Sequence, residues 1–124
     1  MLIPAPRTRR SATFEVTTTS EATVVTATGD LDLAVTGRLA TVLQEEIRLA
    51  PQALVFDASA VTFCSARVLT ILLDAATSAV PFAVAGRCRP LLRPITVLGL
   101  DSLLPVHWSA EEALAWLKLV PLLS

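Results

Sequence analysis

The segment Ala53–Leu73, ALVFDASAVTFCSARVLTILL, carries the clearest pattern in this 124-residue chain. It predicts a buried strand at Leu54–Phe56, a polar turn at Asp57–Ala60, an apolar step at Val61–Cys64 and a helix at Ser65–Ser78. The helix has an apolar face of Leu69, Leu72, Leu73 and Ala76, and a polar face of Arg67, Thr70, Asp74 and Thr77. A strand that leads directly into such a helix is half of a βαβ unit, and these folds place their functional residues at the turn between the two.

The segments before this unit predict a β-hairpin and a helix. Phe14–Thr18 and Ala22–Thr28 are rich in valine and threonine, with a short polar turn between them. Gly29 ends the second strand, and residues Asp30–Ala34 are expected to form a loop. The helix Gly37–Leu49 follows, with Thr36 as its cap and Pro51 after its end.

The segments after the unit alternate in the same way. The pattern predicts a strand at Phe82–Ala85, a helix at Pro90–Leu98 closed by Gly99, and an edge strand at Pro105–His107. Ser109 and Glu112 form a capping box that opens the last helix, in which Ala113, Leu114 and Leu117 dock on the sheet. The order β-β-α-β-α-β-α-β-α predicts an α/β fold with a mixed sheet of about five strands, a parallel centre and about four helices.

Composition limits the classes of function. Apolar residues make up 53% of the chain and aromatic residues 5%, so valine, leucine and alanine must build the core of one domain. A net charge of −1 argues against nucleic acid or an anionic membrane as the main partner. We expect a flexible basic tail at 1–12, the folded domain at 13–120 and a C-terminal tail at 121–124. Without an export signal or a membrane span, the expected location is the cytoplasm, with both cysteines reduced.

Several motifs resemble those of STAS domains, the anti-sigma-factor antagonists of bacteria. VTFCSARVL at 61–69 is similar to the switch segment of that family, roughly V-x-F-hydrophobic-D-S-[ST]-G-L, and LVFDAS at 54–59 to the strand before it. GDLD at 29–32 resembles the family's G-[ED]-L-D, and LGLD at 98–101 and EEAL at 111–114 resemble its closing motifs. The resemblance extends in order from about Phe14 to Leu117 and implies a STAS-like fold.

The chain departs from the family pattern at the switch. Ser65 takes the place of the family's aspartate, and Ala66 takes the place of its phosphorylated serine. Arg67 replaces the next hydroxyl residue of the pattern, and Val68 replaces its glycine. Because alanine has no hydroxyl, we expect the usual phospho-switch to be absent. Ser65 is a substitute phosphate acceptor in the alternative view, but it lies one residue early, about 100° around the helix. An N-cap role for Ser65 needs fewer assumptions.

The resemblance implies a non-enzymatic regulatory protein that binds an anti-sigma factor of the histidine-kinase-like ATPase type and frees a sigma factor. The expected partner-binding residues are Asp30, Asp32, Ser65, Ala66, Arg67 and Thr70. The alternative is a scaffolding STAS domain that forms a homodimer, binds other STAS proteins or joins a larger sensory assembly. No nucleophile–base pair and no metal-ligand set is visible in the sequence, so we expect no enzyme activity, cofactor or metal.

Other polar residues have simpler interpretations. Asp30 and Asp32 are expected to order their loop or to contact the partner, and acid–base catalysis is the least favoured of their roles. Asp57 is expected to be a structural turn aspartate and not the phosphate acceptor of a receiver domain. Arg87, Arg89 and Arg93 predict a solvated basic edge, because aromatic platforms and a glycine-rich phosphate loop are missing.

The remaining candidates are packing residues. Cys64 is expected to pack in an apolar slot, and His107 has no second histidine with which to bind a metal. Trp108 and Trp116 are expected to anchor the last helix to the body of the domain.

Overall fold

The structure, a computed structural model, describes the backbone of residues 10–123 and the side chains as far as Leu119. The elements in chain order are β1 (Thr13–Thr18), β2 (Thr23–Leu31), α1 (Leu33–Arg48), β3 (Leu54–Cys64), α2 (Ala66–Ala76), β4 (Phe82–Ala85), α3 (Arg89–Val97), β5 (Val106–His107) and α4 (Ala110–Leu123). This is the predicted order of elements.

The sheet has the strand order β1-β2-β3-β4-β5. β1 and β2 are antiparallel, whereas β2–β3, β3–β4 and β4–β5 are parallel pairs. The antiparallel pair needs only a short turn, and each parallel pair requires a helical crossover. The predicted α/β fold, a mixed sheet with a parallel centre and four helices, is confirmed.

Helices cover both faces of the central strands. Phe56 and Val84 belong to a core cluster with Leu39 of α1, Leu72 of α2 and Leu91 of α3. Val55 and Ala83, the neighbours that alternate with them, instead pack with Ala113 and Leu117 of α4. Strand side chains alternate between faces, so burial of consecutive residues means that both faces are covered. The predicted docking of α4 on the sheet is confirmed.

The predicted turn at Asp57–Ala60 is wrong, because β3 runs through these residues without a break. Its register with β2 shifts twice, between Thr26 and Thr28 and between Gly29 and Asp30. The Asp57 Oδ1 atom accepts hydrogen bonds from the Ser59 backbone N–H (2.9 Å) and hydroxyl (2.8 Å). The side-chain chemistry that favours a turn is therefore used inside a bulged strand.

The predicted loop at Asp30–Ala34 is also wrong. β2 continues through Gly29 to Leu31, which pairs with Cys64 of β3. The N-cap of α1 is Asp32, whose carboxylate accepts from the Ala34 N–H at 3.1 Å. Thr36, the predicted cap, lies inside the first turn, where its hydroxyl donates to the Leu33 carbonyl at 3.0 Å. The helix therefore begins four residues before the predicted start, because Asp32 is the better-placed acceptor.

The exposed face of α2 and the start of α4 agree with the pattern, although α2 spans Ala66–Ala76 and not the predicted Ser65–Ser78. The polar face of α2 is exposed as predicted, and its buried side centres on Val68, Leu72 and Ala75. The capping box of α4 forms: the Glu112 N–H donates to Ser109 Oγ, and Glu112 Oε1 accepts from the Trp108 N–H. Trp108 is an exception, since its side chain is 71% exposed and does not anchor the helix.

The predicted domain boundaries stay predictions. Most of the basic tail at 1–12, and residue 124, lie outside the described residues. α4 continues to Leu123, into the segment expected as a C-terminal tail. None of the described helices has the length and apolar character needed to cross a membrane.

Candidate functional site

The end of β2 and the start of α2 lie side by side. Leu31 is paired with Cys64 and Asp30 with Phe63. The Ser65 N–H donates to the Leu31 carbonyl at 2.9 Å, one residue before α2 begins. The carboxyl ends of parallel strands meet at one edge of a sheet, so two segments separated by more than thirty residues form one surface.

Asp30 holds this junction together. Its side chain is only 7% exposed. Oδ1 accepts from the Thr62 hydroxyl at 2.6 Å, and Oδ2 accepts from the Arg10 backbone N–H at 3.2 Å. The Arg10 carbonyl in turn accepts from the Asp30 N–H at 3.0 Å. Asp30 therefore links β2 to β3 and to the segment before β1 from within a strand and not from the predicted loop, and Asp32 orders the start of α1.

Replacing Asp30 with alanine is expected to lower the free energy of unfolding by about 2 kcal/mol, because buried donors lose their acceptor. The melting temperature should fall by about 8 °C. Asp30→Asn keeps an acceptor oxygen and should lose about half as much. Thermal unfolding followed by circular dichroism measures both. If the alanine variant were as stable as the natural protein, these hydrogen bonds would make no contribution to the free energy of unfolding.

The first turn of α2 presents small and polar side chains. Ser65 occupies the N-cap position in extended conformation, but its hydroxyl forms no cap hydrogen bond, so the predicted side-chain cap is not observed. The Oγ atom is buried and has no hydrogen-bond partner within the described part of the chain. Ala66, Arg67 and Thr70 are all exposed. Of the other residues predicted to contact a partner, Asp30 is buried and Asp32 and Ser65 are half-buried, so these three offer less surface to a partner than Ala66, Arg67 and Thr70.

Arg67 lines a narrow cleft between α1 and α2. The cleft has a volume of about 130 Å³, and its lining is Ala40, Leu43, Gln44, Ile47, Arg67, Ile71, Asp74 and Ala75. Arg67 is exposed and lines this cleft together with residues of α1, so its charge lies beside α1 as well as at the start of α2.

Two exposed apolar residues were missed from the sequence. Leu33 is 72% exposed directly after Asp32, and Phe63 is 38% exposed one residue before Cys64. The sequence predicts Leu33 in a loop, whereas the structure places it in the first turn of α1, outside the buried face of that helix. We use the name β2–α2 surface for the group Asp32, Leu33, Phe63, Ala66, Arg67 and Thr70.

The charge at this surface is positive near α2. The first turn of α2 contains no acidic residue, so the partial positive charge of the helix N-terminus is not offset locally. Arg67 adds a full positive charge. Because Asp32 contributes a carboxylate to the same surface, the arrangement suits a partner with apolar side chains and charged groups of both signs.

Cys64, next to this surface, is not a nucleophile. Burial raises the pKa of its thiol to about 12, and the nearby Cys88 adds to the shift. Burial also raises the pKa of Cys88. Both thiols are protonated at neutral pH, and the thiolate is the reactive form. Among the described residues, no three His, Cys, Asp or Glu side chains gather into a possible metal site.

The comparison with protein families agrees with the motifs and with the fold. Residues 14–105 match the family model described as "Mlab, STAS domain". The chain belongs to the STAS domain family. The expected resemblance and the STAS-like fold are thereby confirmed. No curated protein sequence matches this STAS domain.

Solved structures share the fold over most of their length. An anti-sigma factor antagonist from Mycobacterium paratuberculosis is 29% identical, with a TM-score of 0.81 and coverage of 87% of this chain and 95% of that one. A variant of RsbS from Moorella thermoacetica is 22% identical (TM-score 0.69, coverage 87% and 97%). The phosphorylated form of SpoIIAA, a Bacillus cell fate determinant, is 15% identical (TM-score 0.64, coverage 83% and 97%). The last two similarities concern the fold alone.

Proposed function

We propose that this STAS domain is a non-enzymatic, cytoplasmic anti-sigma-factor antagonist. It docks through the β2–α2 surface on an anti-sigma factor of the histidine-kinase-like ATPase type and so frees a sigma factor. The observation that carries the proposal is the similarity to a solved anti-sigma factor antagonist, which covers 95% of that antagonist's chain. The contact between the end of β2 and the start of α2 supports it, since the residues that follow β2 then lie beside the first turn of α2.

The β2–α2 surface has the composition of a protein-binding site. Leu33 and Phe63 expose apolar area, Ala66 leaves space at the helix start, and Arg67 supplies charge. Exposed apolar side chains surrounded by polar groups are typical of protein–protein interfaces. The underlying bonds of Asp30 hold this surface in one shape, which lowers the entropy cost of docking.

The interaction is not gated by serine phosphorylation in this proposal. Ala66 has no hydroxyl at the exposed position where the family has its serine. Ser65 has a hydroxyl, but its Oγ atom is buried and so is shielded from a kinase active site. Regulation would then follow from abundance or competition between partners.

The test mixes the protein with the ATPase-type anti-sigma factors of its own genome, MgATP and the cognate sigma factor. We expect a stable complex, release of sigma factor, and no gain of a phosphoryl group by intact-mass spectrometry. The variant Ala66→Ser restores the hydroxyl and should be phosphorylated, which shows that the kinase is competent. Stoichiometric phosphate on the natural protein that Ser65→Ala removes would overturn the absence of a switch, and failure to bind any such factor would overturn the antagonist role.

One observation favours self-association as a second function. β1 pairs with β2 along one edge, and its other edge is not paired with any described strand. Four of its six residues are threonine or valine, and an open edge of such residues can pair with a second chain. A scaffolding STAS domain would therefore be dimeric at micromolar concentration by light scattering. A proline at Val16 would make it monomeric, whereas an antagonist that binds only an anti-sigma factor is monomeric throughout.

A further inference from the structure

A groove follows α3 from its exposed face to the edge of the core, where Ile95 and Leu104 line it. One part of it, of about 510 Å³, has as its lining Arg87, Arg89, Leu92, Arg93, Thr96 and Val97. An adjoining part of about 230 Å³ shares Arg87, Leu92 and Thr96 with it and continues to Asp101, Leu104, Pro105 and Val106. The groove therefore passes between the outer face of α3 and the segment that leads into β5. None of its residues belongs to the β2–α2 surface.

Three arginines make the groove positive. Arg87, Arg89 and Arg93 are exposed, and no ion pair joins any of them to a carboxylate of the described residues. Asp101 is the acidic residue in the lining, so the balance of charge there remains positive. Arginines that line one groove without an ion pair to a described carboxylate are suited to bind carboxylates, with charge-assisted hydrogen bonds.

Arg87 is held in place before any ligand binds. One of its guanidinium nitrogens donates to the Val106 carbonyl at 3.0 Å. The guanidinium also lies over the ring of Trp108, 4.8 Å from its centroid. A guanidinium has five N–H donors, so these contacts orient the group and still leave donors for a ligand. Pre-organised donors bind with a smaller entropy cost.

The same groove exposes apolar area. Val97 and Leu92 belong to the lining, and they are 75% exposed and half-buried, respectively. Trp108 lies next to the groove, in contact with Arg87, and is 71% exposed. Leucine, valine and tryptophan beside arginines resemble the composition of protein-binding sites, in which tryptophan and arginine are enriched. A small inorganic anion would leave this apolar area in water.

We propose that this groove binds an acidic segment of a partner protein whose carboxylates alternate with apolar side chains. The carboxylates would pair with Arg87, Arg89 and Arg93, and the apolar side chains would pack on Leu92, Val97 and Trp108. Nucleic acid fits less well, because the chain as a whole is negative and one face of Trp108 is already covered by Arg87. This second interaction surface does not depend on the proposed function of the β2–α2 surface.

The test is an NMR titration of the full ¹⁵N-labelled chain with a short synthetic peptide that has leucines between glutamates. We expect shift changes at residues 87–97 and at the Trp108 indole N–H, and none at the β2–α2 surface. Arg93→Glu should weaken binding about tenfold through loss of a charge-assisted contact. Arg93→Lys should retain most of the affinity. The matched control is Arg48→Glu, the same charge change on an exposed arginine at the end of α1, and it should leave affinity unchanged.

Four outcomes would overturn the proposal. The first is that residues 87–97 show no shift changes, and the second is that Arg48→Glu loses as much affinity as Arg93→Glu. The third is that a peptide with lysine in place of glutamate binds as well as the acidic peptide. The fourth is that a single-stranded oligonucleotide binds more tightly than the acidic peptide. Each would be read separately from the anti-sigma-factor assay, because that assay reports on the β2–α2 surface.

Discussion

Replacing Ala66 with glutamate is expected to weaken binding to the anti-sigma factor by about 100-fold, because a carboxylate in the interface loses more from desolvation on docking than the N-terminus of α2 returns. Ala66 is the first residue of α2 and is exposed, so the new carboxylate would lie on the β2–α2 surface itself. Ala66→Gln has nearly the same size but no charge. It should lose less than about tenfold, which separates the effect of charge from that of volume.

The same substitution should stabilise the folded protein. A carboxylate in the first turn of a helix interacts favourably with the helix dipole, by about 0.5 kcal/mol, and α2 has no acidic residue there. Binding measured by calorimetry and unfolding measured by denaturant should thus change in opposite directions. Parallel loss of both would mean that the variant is misfolded, and undiminished affinity of Ala66→Glu would place the docking surface elsewhere.

Periodicity predicted the elements well because burial in this fold is regular. Leu69 and Leu72 of α2 face the core at helical spacing, and the opposite face is exposed. Such patterns depend only on which side of an element meets the core, so they can be read from local sequence. The order of elements and the mixed sheet followed directly from them.

The candidate site was harder to predict in detail because its residues have more than one use. Asp57 and Ser59 favour a turn, but the same side-chain hydrogen bonds also fit a bulge in a continuous strand. Asp32 and Thr36 are both good cap residues, and the choice between them depends on how far β2 extends. That extension is set by the pairing of Leu31 with Cys64, which is not visible in local sequence.

Side-chain environment was the second source of error. The Ser65 hydroxyl was expected to cap α2, but its backbone N–H is bound to Leu31 and its Oγ is buried instead. Trp108 was expected to pack, but Arg87 covers one face of its ring at the surface. In both cases the deciding neighbour is distant in the sequence or comes from another strand.

Replacing Gly86 with alanine is expected to destabilise the protein by at least about 3 kcal/mol, with a fall in melting temperature of about 10 °C. Gly86 ends β4 with a φ of +86°, a conformation that residues with a Cβ rarely adopt. An added Cβ would also lie 2.2 Å from the backbone nitrogen of Ser59 and 2.6 Å from its Cα. Those atoms belong to the bulged part of β3, so they cannot move aside as a flexible side chain would.

Gly37 offers the matched control, because a Cβ added there meets nothing within 4 Å. It lies in the interior of α1 on an exposed position, where alanine is favoured over glycine by about 0.5–1 kcal/mol. The same change of residue should therefore stabilise the protein at position 37 and destabilise it at position 86, as measured by urea unfolding. The added Cβ at position 86 should also increase the distance between β4 and β3, and so shift the amide resonances of Ser59 and Arg87. A Gly86→Ala variant as stable as the natural protein would mean that the backbones of β3 and β4 are not in close contact at this point. The position of Arg87 beside Trp108 would then need a different structural explanation.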